Sequence, residues 1–353
     1  MRVQNGSAHV RGCWMMKDVG VWKSLLKADA TVWLLEEGNP SVRYFALTDI
    51  LGRPEDDADV MKAKRRIMEV GVVPRILAKQ KAGGFWGVAE NFYIKSKYKG
   101  TVWQLIVLAE LGADGSDERV RRACEFILEN SQDHESGGFS YLGGKDGGGD
   151  HRKVLPCLTG NMVWSLTRLG YLDDHRVQHG IDWIVRYQRF DDGVKEAVRG
   201  WPYDKRERCF GRHSCHMGVV KALKALAEIP VGRRSDGVKS TIERGAEYLL
   251  SHHVFKRSHD LTRVSKSEWL QFGFPLMWNT DVLEVLGILT RLGYRDERMQ
   301  ESVDLAVSKQ DNMGRWKLEN TFNRRFQVNI EQKGKPSKWV TLNALRMLKG
   351  FYR

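Results

Sequence analysis

Apolar and polar positions follow a pattern along the chain that repeats about every sixty residues. Six apolar helices each end at a short stop sequence, most often Leu-Gly. The hexapeptide from Leu166 to Tyr171 recurs at residues 289–294. The stops are Leu51-Gly52, Leu111-Gly112, Leu169-Gly170, Ile229-Pro230, Leu292-Gly293 and Leu348. A fixed period of this size indicates repeated supersecondary units, each of which buries a core only against its neighbours.

Each unit begins with a helix that is apolar on nearly every side, followed by a short turn and a helix that is apolar on one face. In the third unit the first helix covers about residues 157–169, and its all-round apolar pattern predicts complete burial. Its partner, about residues 174–188, carries Val177, Ile181 and Ile184 on one stripe, which predicts a half-exposed helix. Similar second helices are predicted near residues 60–80, 117–132, 238–252 and 296–310. A long loop leads to the next unit, so the pattern predicts an inner and an outer layer of helices.

The number of helices predicts how these layers close. The chain ends on an inner-type helix at about 339–348, which leaves one outer helix missing, and the amphipathic segment 21–37 has the pattern to supply it. Six inner and six outer helices would then form a ring. We therefore predict an all-α fold, a single (α/α)6 toroid of six helical-hairpin repeats over residues 18–353, preceded by an N-terminal tail over residues 1–17.

Length, charge and cysteine content indicate the number of domains and the environment in which we expect the protein. The chain has 353 residues and a net charge of +13, and the repeat favours one closed unit over the two domains that the length alone would allow. The sequence shows neither a secretory signal nor an apolar stretch long enough to cross a membrane. Its five cysteines, an odd number, do not suggest a disulfide framework, so we expect a reducing, cytoplasmic environment.

The distribution of charge is more informative than its sum. The short turns are acidic, as at 55–57 and 173–174, where carboxylates suit the N-termini of the second helices. The long loops are basic, and in a ring of helix pairs they all emerge on one face, so we expect a cationic mouth above an apolar cavity. The candidates for binding an anionic substrate group are Lys99, Arg152, Lys153 and Arg212. Nucleic acid is a competing partner for such charge, and a basic surface that meets only solvent is the third interpretation.

A Gln-x3-Gly-x-aromatic motif follows several of the second helices. Its glycine permits the turn that ends the helix, its aromatic residue packs the loop onto the ring, and its glutamine can cap free backbone groups. The copies are Gln80 to Trp86, Gln310 to Trp316, Gln132 to Phe139 with one extra residue, and a weaker one from Gln188 to Gly193. The motif resembles the QW repeat of squalene and oxidosqualene cyclases and, more loosely, the repeats of protein prenyltransferase beta subunits. This resemblance covers nearly the whole chain, although the motif is structural and carries no activity by itself.

The catalytic signature of the cyclases is missing from the sequence. Those enzymes protonate a polyene with an Asp-x-Asp-Asp acid, whereas Asp57 and Asp59 are followed here by Val60. These two residues also belong to a short acidic turn, on the face opposite to the long loops. A class II cyclase of the usual kind is therefore disfavoured.

Cysteine and histidine residues occur at equivalent points of the third and fourth units. Cys157 begins the third inner helix and Cys215-His216 begins the fourth, so a ring would place them side by side at the long-loop rim. Thiolates and imidazoles that converge from separate segments are typical zinc ligands. We therefore predict one zinc, with the candidate ligands Cys157, Cys209, His213, Cys215 and His216. Buried cysteines and helix-capping histidines are the alternative interpretation.

This cysteine and histidine pattern is similar to that of two zinc-dependent toroid families. In protein prenyltransferases one inner helix supplies Asp-x-Cys and the next a histidine, which Cys157 and His213 resemble, with Leu155 in place of the aspartate. In lanthipeptide cyclases one cysteine is joined by an adjacent Cys-His pair on the next hairpin, as Cys157 would be by Cys215-His216. Both resemblances imply a zinc at the rim of the cavity.

Aromatic and acidic residues on the inner helices complete the candidate site. Trp103, Trp164 and Trp278 would cradle an isoprenoid chain or, alternatively, fill the core. Asp281 and His213 are the candidates for acid–base catalysis, and a helix N-cap is the alternative role for Asp281. We predict a terpenoid cyclase-like or prenyltransferase-like enzyme acting on an isoprenoid or another apolar-tailed anion, such as a prenyl diphosphate. The alternatives are a non-catalytic binding protein with a structural zinc and a nucleic-acid-binding toroid.

Overall fold

The computed structural model of the chain describes residues 20–95, 97–204 and 206–353, so the predicted tail over residues 1–17 lies outside the described residues. Helices account for most of this described part, and its one sheet is a two-stranded antiparallel hairpin. The predicted all-α class is therefore confirmed. None of the described helices is both long and apolar enough to cross a membrane.

The described chain contains the following α-helices and strands. The helices are α1 (Val21–Ser24), α2 (Thr31–Leu34), α3 (Pro40–Phe45), α4 (Ala58–Glu69), α5 (Val72–Leu77), α6 (Thr101–Glu110), α7 (Glu118–Asn130), α8 (Pro156–Leu166), α9 (His175–Tyr187), α10 (Glu207–Phe210), α11 (His216–Ala227), α12 (Asp236–Ser251), α13 (Val282–Arg291), α14 (Gln300–Ser308) and α15 (Lys338–Phe351). The hairpin pairs β1 (Lys256–Arg257) with β2 (Asp260–Val264). Helices α3 and α8 continue in π-helical turns, Ala46–Ile50 and Thr167–Tyr171.

The helices alternate between buried and half-exposed kinds, as the hydrophobic pattern predicts. Helix α6 is buried over residues 101–109, and α8 is buried at every position except Cys157. Helix α9 buries the stripe that contains Val177, Ile181 and Ile184, while Gln178 on another face is exposed. Burial on all sides therefore distinguishes the first helix of a unit from the second.

The buried helices contact one another in a closed order. Helix α6 packs against α8, α8 against α11, α11 against α13, α13 against α15, and α15 against α3. Gly112, just after α6, lies against the ring of Phe45 in α3, which completes the series. The half-exposed helices α4, α7, α9, α12 and α14 each pack on the buried helix of their own unit. We call these two sets the outer and the inner helices.

The outer helices begin at side-chain caps in the short turns. An oxygen of the cap residue accepts a backbone N–H of the first turn, which satisfies a group that the helix itself leaves free. The caps are Asp57, Asp117, Asp174 and Ser235, while Asp296 caps the 3-10 turn Glu297–Met299 that leads into α14. The acidic short turns thus carry the helix-capping role expected from their position.

Neighbouring units are joined by the Gln and Gly of the repeated motif. The side-chain amide of Gln80 donates to the carbonyl of Gly84 at 3.1 Å and to the carbonyl of Arg119, in the next outer helix, at 2.8 Å. Gly84 has a φ of +83°, and a Cβ at this position would lie 2.5 Å from the carbonyl oxygen of Arg122. The motif therefore fixes the end of one unit onto the backbone of the next outer helix.

The same arrangement recurs in the second unit. The side-chain amide of Gln132 donates to the carbonyls of Gly137 at 3.0 Å and of Arg176 at 2.6 Å, and Gly137 lies directly against the backbone of His179. The aromatic residue of each motif then donates its backbone N–H to a threonine hydroxyl of the following inner helix. These pairs are Trp86 with Thr101, Phe139 with Thr159 and Trp316 with Thr341. We refer to the whole arrangement as the Gln–Gly interlock.

The last interlock joins the end of the series to its beginning. The side-chain amide of Gln310 donates to the carbonyl of Leu25 at 3.0 Å, and its oxygen accepts the N–H of Lys27 at 3.1 Å. Gly314 lies against the carbonyl oxygen of Ala28. Leu25 and Ala28 are three residues apart, as are the partners of the other two interlocks. Residues 25–28 therefore stand where the other interlocks hold the start of an outer helix.

The segment 21–37 differs from the prediction, which made it one closing outer helix. It contains two single-turn helices, α1 and α2, joined by residues 25–30. The N–H of Lys27 bonds to Gln310 instead of extending α1, and the Asp29 carboxylate accepts the N–H of Thr31 at 2.8 Å, which favours a new helix start there. These contacts override the amphipathic pattern of the segment.

Substitution of Gly314 tests the interlock at this closing contact. Gly314→Ala and Gly334→Ala each place a Cβ at positive φ, +66° and +81°, at a cost of about 1–2 kcal/mol. Nothing lies within 4 Å of a Cβ at Gly334, whereas one at Gly314 would meet the backbone of Ala28. We expect Gly314→Ala to lower the free energy of unfolding by about 1–3 kcal/mol more than Gly334→Ala, as measured by urea denaturation. Equal losses would contradict the interlock.

Candidate functional site

A cavity of about 760 Å³ lies between the inner helices. Every inner helix or the turn that continues it contributes to its lining. One lining residue from each is Phe45 from α3, Glu110 from α6, Trp164 from α8, Lys224 from α11, Glu284 from α13 and Arg346 from α15. The lining thus combines aromatic rings with several charges, whereas an apolar cavity was expected from the sequence. We call this space the central cavity.

A chain of ion pairs lies beside the central cavity. The Nζ of Lys221 is 2.7 Å from both carboxylate oxygens of Glu284, and the Lys221 side chain is fully buried. The Nζ of Lys224 lies 3.1 Å from Glu284 and 2.5 Å from Glu110, and it also stands 3.9 Å above the ring of Trp164. Because the removal of each ion from water costs several kcal/mol, these charges are stable only as a connected set.

The pKa values of this chain reflect the competition between burial and pairing. Burial alone would raise the pKa of Glu284, but Lys221 and Lys224 hold it below its ordinary value. Burial lowers the pKa of Lys221, against the opposing effect of Glu284. For Lys224 burial acts in the same downward direction, yet Glu110 and Glu284 together raise its pKa. The pair formed by Lys224 and Glu284 is therefore charged.

Asp281 lines the same cavity at the start of α13. Its Oδ1 accepts the N–H of Glu284 at 2.8 Å, so it is the helix N-cap, and its Oδ2 accepts the N–H of Gly273 at 2.9 Å. Only 2% of the residue is exposed, and this burial raises the pKa of Asp281 to about 7. A carboxyl group with such a pKa can both donate and accept a proton near neutral pH.

The central cavity is closed on the side of the long loops. Gly273, Phe274 and Leu276 line it there, and the Phe274 ring stacks on Trp339 with centroids 4.4 Å apart. At the other end it is lined by Arg291 and Arg295, which are exposed to solvent near the short turns. The open end of the cavity is therefore on the short-turn side, opposite to the cationic mouth that the sequence predicts.

The basic residues of the long loops accordingly lie away from the central cavity. Lys99, Arg152 and Arg212 are exposed, Lys153 is half-buried, and the described cavity lining includes none of the four. The Nε of Arg212 donates to the carbonyl of Val194 at 2.9 Å. Their predicted contact with a ligand in the cavity is not supported by this placement, because the described lining on the long-loop side comes from Gly273, Phe274 and Leu276.

The three candidate tryptophans have different environments. Trp164 lines the central cavity, and its Nε1 donates to Glu228 at 3.1 Å. Trp103 is fully buried and donates to the carbonyl of Tyr93 at 3.0 Å, while Trp278 donates to the hydroxyl of Tyr98 at 3.0 Å. Trp103 and Trp278 therefore fill the core and the loop layer, and Trp164 alone of the three can contact a ligand in the central cavity.

The cysteines of the third and fourth units lie near one another. The N–H of Cys215 donates to the carbonyl of Cys209 at 2.9 Å, and their thiols interact. The Cys209 thiol and the backbone N–H groups of Gly218 and Met217 lower the pKa of Cys215, although burial opposes them. Burial raises the pKa of Cys157 to about 12, and the charge of Cys215 adds to that effect. Cys157, one repeat away, is thus near enough for the charge of the Cys215 thiol to affect it.

The two candidate histidines are held elsewhere. His213 is exposed, with its Nδ1 3.1 Å from the Oδ1 of Asp192. His216 stacks on Trp269 with centroids 4.2 Å apart, and burial lowers its pKa to about 3. Across the described residues no group of three or more His, Cys, Asp or Glu side chains is arranged to hold a metal. The predicted set of two thiolates and an imidazole is therefore not assembled among the described side chains, and zinc stays a prediction from the sequence.

The residues of the ion-pair chain were not identified from the sequence. The available signal was the presence of charges within otherwise apolar helices, as at Lys221 and Lys224 in α11 and Glu284 in α13. An inner helix surrounded by apolar neighbours provides no solvent for such charges, so they need partners on adjacent inner helices. The repeat pattern does not say which helices carry these partners.

Comparisons with known proteins do not assign a family. Neither the family models nor the curated proteins gave a match to this chain. The function therefore has to be inferred from the geometry of the site.

Metal analysis of the purified protein tests the zinc prediction. We expect about one zinc per chain, lost in Cys215→Ser, because this thiol lies beside Cys209 and Cys157. His213→Ala is the control and should keep the metal, since His213 binds Asp192 instead. Protein purified without chelators that contains no zinc, or that loses it only in His213→Ala, would contradict this assignment.

A second experiment tests the buried ion pairs. Glu284→Gln leaves Lys221 without a counter-charge, and we expect a loss of about 3–5 kcal/mol in the free energy of unfolding. The control is Glu118→Gln, which breaks an exposed pair with Arg122 at 2.9 Å and should cost less than about 1 kcal/mol. Urea denaturation of both variants gives the comparison. A cost for Glu284→Gln no larger than that of the control would mean that Lys221 is neutral in the folded protein.

Proposed function

We propose that the chain is an enzyme built as an (α/α)6 toroid, and that it acts on a small molecule in the central cavity. The closed order of contacts among the six inner helices supports the toroid. The Gln–Gly interlock supports it as well, because residues 25–28 take the place of the sixth outer helix at the seam. The segment that closes the ring is thus irregular but occupies the expected position.

The observation that carries the catalytic part of the proposal is the state of Asp281. Its carboxyl group is buried, lines the central cavity and has a pKa of about 7. Strongly shifted pKa values cluster at catalytic sites, and a general acid or base is most effective when its pKa is near the working pH. We infer that Asp281 exchanges a proton with the substrate, while the charged pair of Lys224 and Glu284 orients it.

The aromatic part of the lining supports an apolar group in the substrate. Phe45, Trp164 and Phe274 border the cavity, and aromatic faces stabilise apolar chains and cationic centres. Arg168 and Arg346 border it too, which suits an anionic group. An apolar-tailed anion such as a prenyl diphosphate meets both conditions, in agreement with the resemblance to terpenoid cyclases and prenyltransferases.

Zinc, as predicted, would have a structural role here. None of the three cysteines is among the described lining of the central cavity. A metal held by Cys157, Cys209 and Cys215 would instead tie the loop before α11 to the start of α8, and so stabilise the fold. Such a zinc would take no part in catalysis, because the site lies away from the cavity.

Two other functions remain as competing proposals. A non-catalytic binding protein would keep the affinity for the ligand but show no turnover. A nucleic-acid-binding protein would use the exposed basic residues of the long loops, such as Lys99, Arg152 and Arg212. Binding of duplex DNA that is lost when these three are replaced, without any binding of prenyl diphosphates, would favour that function.

Replacement of Asp281 tests the proposed function. Asp281→Asn keeps a side-chain acceptor for the N-cap but cannot exchange a proton, so turnover of a prenyl diphosphate panel should fall by about 10²–10⁴-fold. Asp117→Asn, at the cap of α7, should retain wild-type turnover. In the wild type, kcat/KM should change slope near pH 7, the pKa of Asp281. Unchanged turnover and an unchanged pH profile in Asp281→Asn would exclude its catalytic role.

A further inference from the structure

Basic side chains are concentrated at the open end of the central cavity. They come from the C-terminal ends of three inner helices and from the turns that follow them. Five of these cations are Arg168, Arg291, Arg295, Arg346 and Lys349. The sequence does not single out this group, because the basic long loops point to a cationic surface on the opposite side of the ring.

Two carboxylates balance part of this charge. Glu228 binds Arg291 through both oxygens, at 2.6 and 2.7 Å, and lies 3.9 Å from Arg168. Asp49 binds the Nε of Arg346 at 2.7 Å. Glu55 also lines the cavity, but it accepts a hydrogen bond from Tyr44 at 2.9 Å. Glu110, the last residue of α6, lies at this end as well and pairs with Lys224. Four carboxylates therefore face the five cations named above.

The remaining cations have no carboxylate partner among the described residues. Lys349 donates to the carbonyls of Asp49 at 2.7 Å and of Ile50 at 3.0 Å, and Arg295 donates to the carbonyl of Gly293 at 3.2 Å. The carbonyls of Asp49 and Ile50 end the π-helical turn after α3, and that of Gly293 lies just after α13. The two side chains therefore lie near the negative ends of the helix dipoles and keep their positive charge.

Crowding of like charges is visible at Arg346. Burial lowers the pKa of its guanidinium, and the nearby charge of Arg168 lowers it further, against the effect of Asp49. Both guanidinium groups lie over the ring of Phe45, whose centroid is 4.6 Å from Arg346 and 5.4 Å from Arg168. The two cations are thus held close together although they repel each other, which an added anion would relieve.

The closed end of the cavity differs in its charges. Asp281 and Glu284 are the acids there, and Lys221 and Lys224 are the bases. Acids and bases are thus equal in number at this end, whereas the cations outnumber the carboxylates at the open end. A difference of this kind along one cavity orients a ligand that is charged at one end only.

We propose that the open end, with Arg168, Arg291 and Arg295 at its rim, is a binding site for a phosphate or diphosphate group. Guanidinium groups are well suited to phosphate because their paired N–H donors match its oxygens. The substrate orientation rests on the proposed function: the anion stays at the open end while the apolar part reaches inward. Asp281 and Arg291 are ten residues apart at the two ends of α13, so about 15 Å separates the anion from the reacting group.

Titration of inorganic diphosphate into the full-length protein at low salt tests this site directly. We expect binding by isothermal calorimetry, weakened about tenfold or more in the double variant Arg291→Gln/Arg295→Gln. Arg295→Gln alone, which removes an exposed side chain without a carboxylate partner, should weaken binding several-fold and serves if the double variant does not fold. The matched control is Arg152→Gln/Arg212→Gln on the long-loop side, where affinity should change less than twofold.

The outcomes separate this inference from the proposed function. The anion site is wrong if the wild-type protein does not bind diphosphate. It is also wrong if the affinity for diphosphate falls only in the long-loop control variant. A prenyl diphosphate should bind more tightly than inorganic diphosphate, and equal affinities would overturn the inward orientation of the tail. If the protein binds diphosphate but turns over no substrate, the proposed activity is wrong and the anion site stands. If the protein does not bind diphosphate but turns over a neutral isoprenoid in a reaction that depends on Asp281, the anion site is wrong and the proposed activity stands.

Discussion

The close approach of a glycine backbone to the next outer helix is the constraint on which the arrangement of units depends. At Gly84, Gly137 and Gly314 the chain takes a positive φ and lies where any Cβ would meet a backbone carbonyl. The preceding glutamine then satisfies a carbonyl of the same outer segment. Position and hydrogen bonding are thus set together at these three junctions, so each of these units determines where its neighbour lies. The contact at Gln310 and Gly314 joins the end of the series to its beginning.

Much of this architecture could be predicted from the sequence, because periodicity reports burial. The inner and outer helices and the capping carboxylates follow directly from the placement of apolar and acidic residues. The segment 21–37 could not be predicted in the same way, since its hydrogen bonds to Gln310 come from the far end of the series. Amphipathic spacing describes one segment at a time and does not contain such contacts.

The candidate site was predicted less well, for a reason that involves the loops. The sequence indicates which residues belong to the long loops, and it correctly suggests that Asp281 begins an inner helix and caps it. It does not show that residues of the segment 273–276 line the cavity on that side. The basic loop residues are absent from the described lining, whereas charges inside apolar helices, such as Lys224 and Glu284, belong to it. The cysteines lie near one another because they occupy equivalent positions of the repeat, which the sequence shows. The side-chain positions of His213 and His216 depend instead on their contacts with Asp192 and Trp269, which the sequence does not show.

The contact between Gln310 and Leu25 joins residues that are 285 positions apart, and this separation affects how the protein is made. Contacts between distant residues form slowly, because the chain between them must first lose entropy. During synthesis each new unit can pack on the one before it, but α3 keeps one flank bare until α15 has emerged. An unfinished chain therefore exposes the flanks of α3 and α13 that α15 later covers. The α15 of another molecule can cover the same flanks, so crowded translation favours exchange of units between molecules.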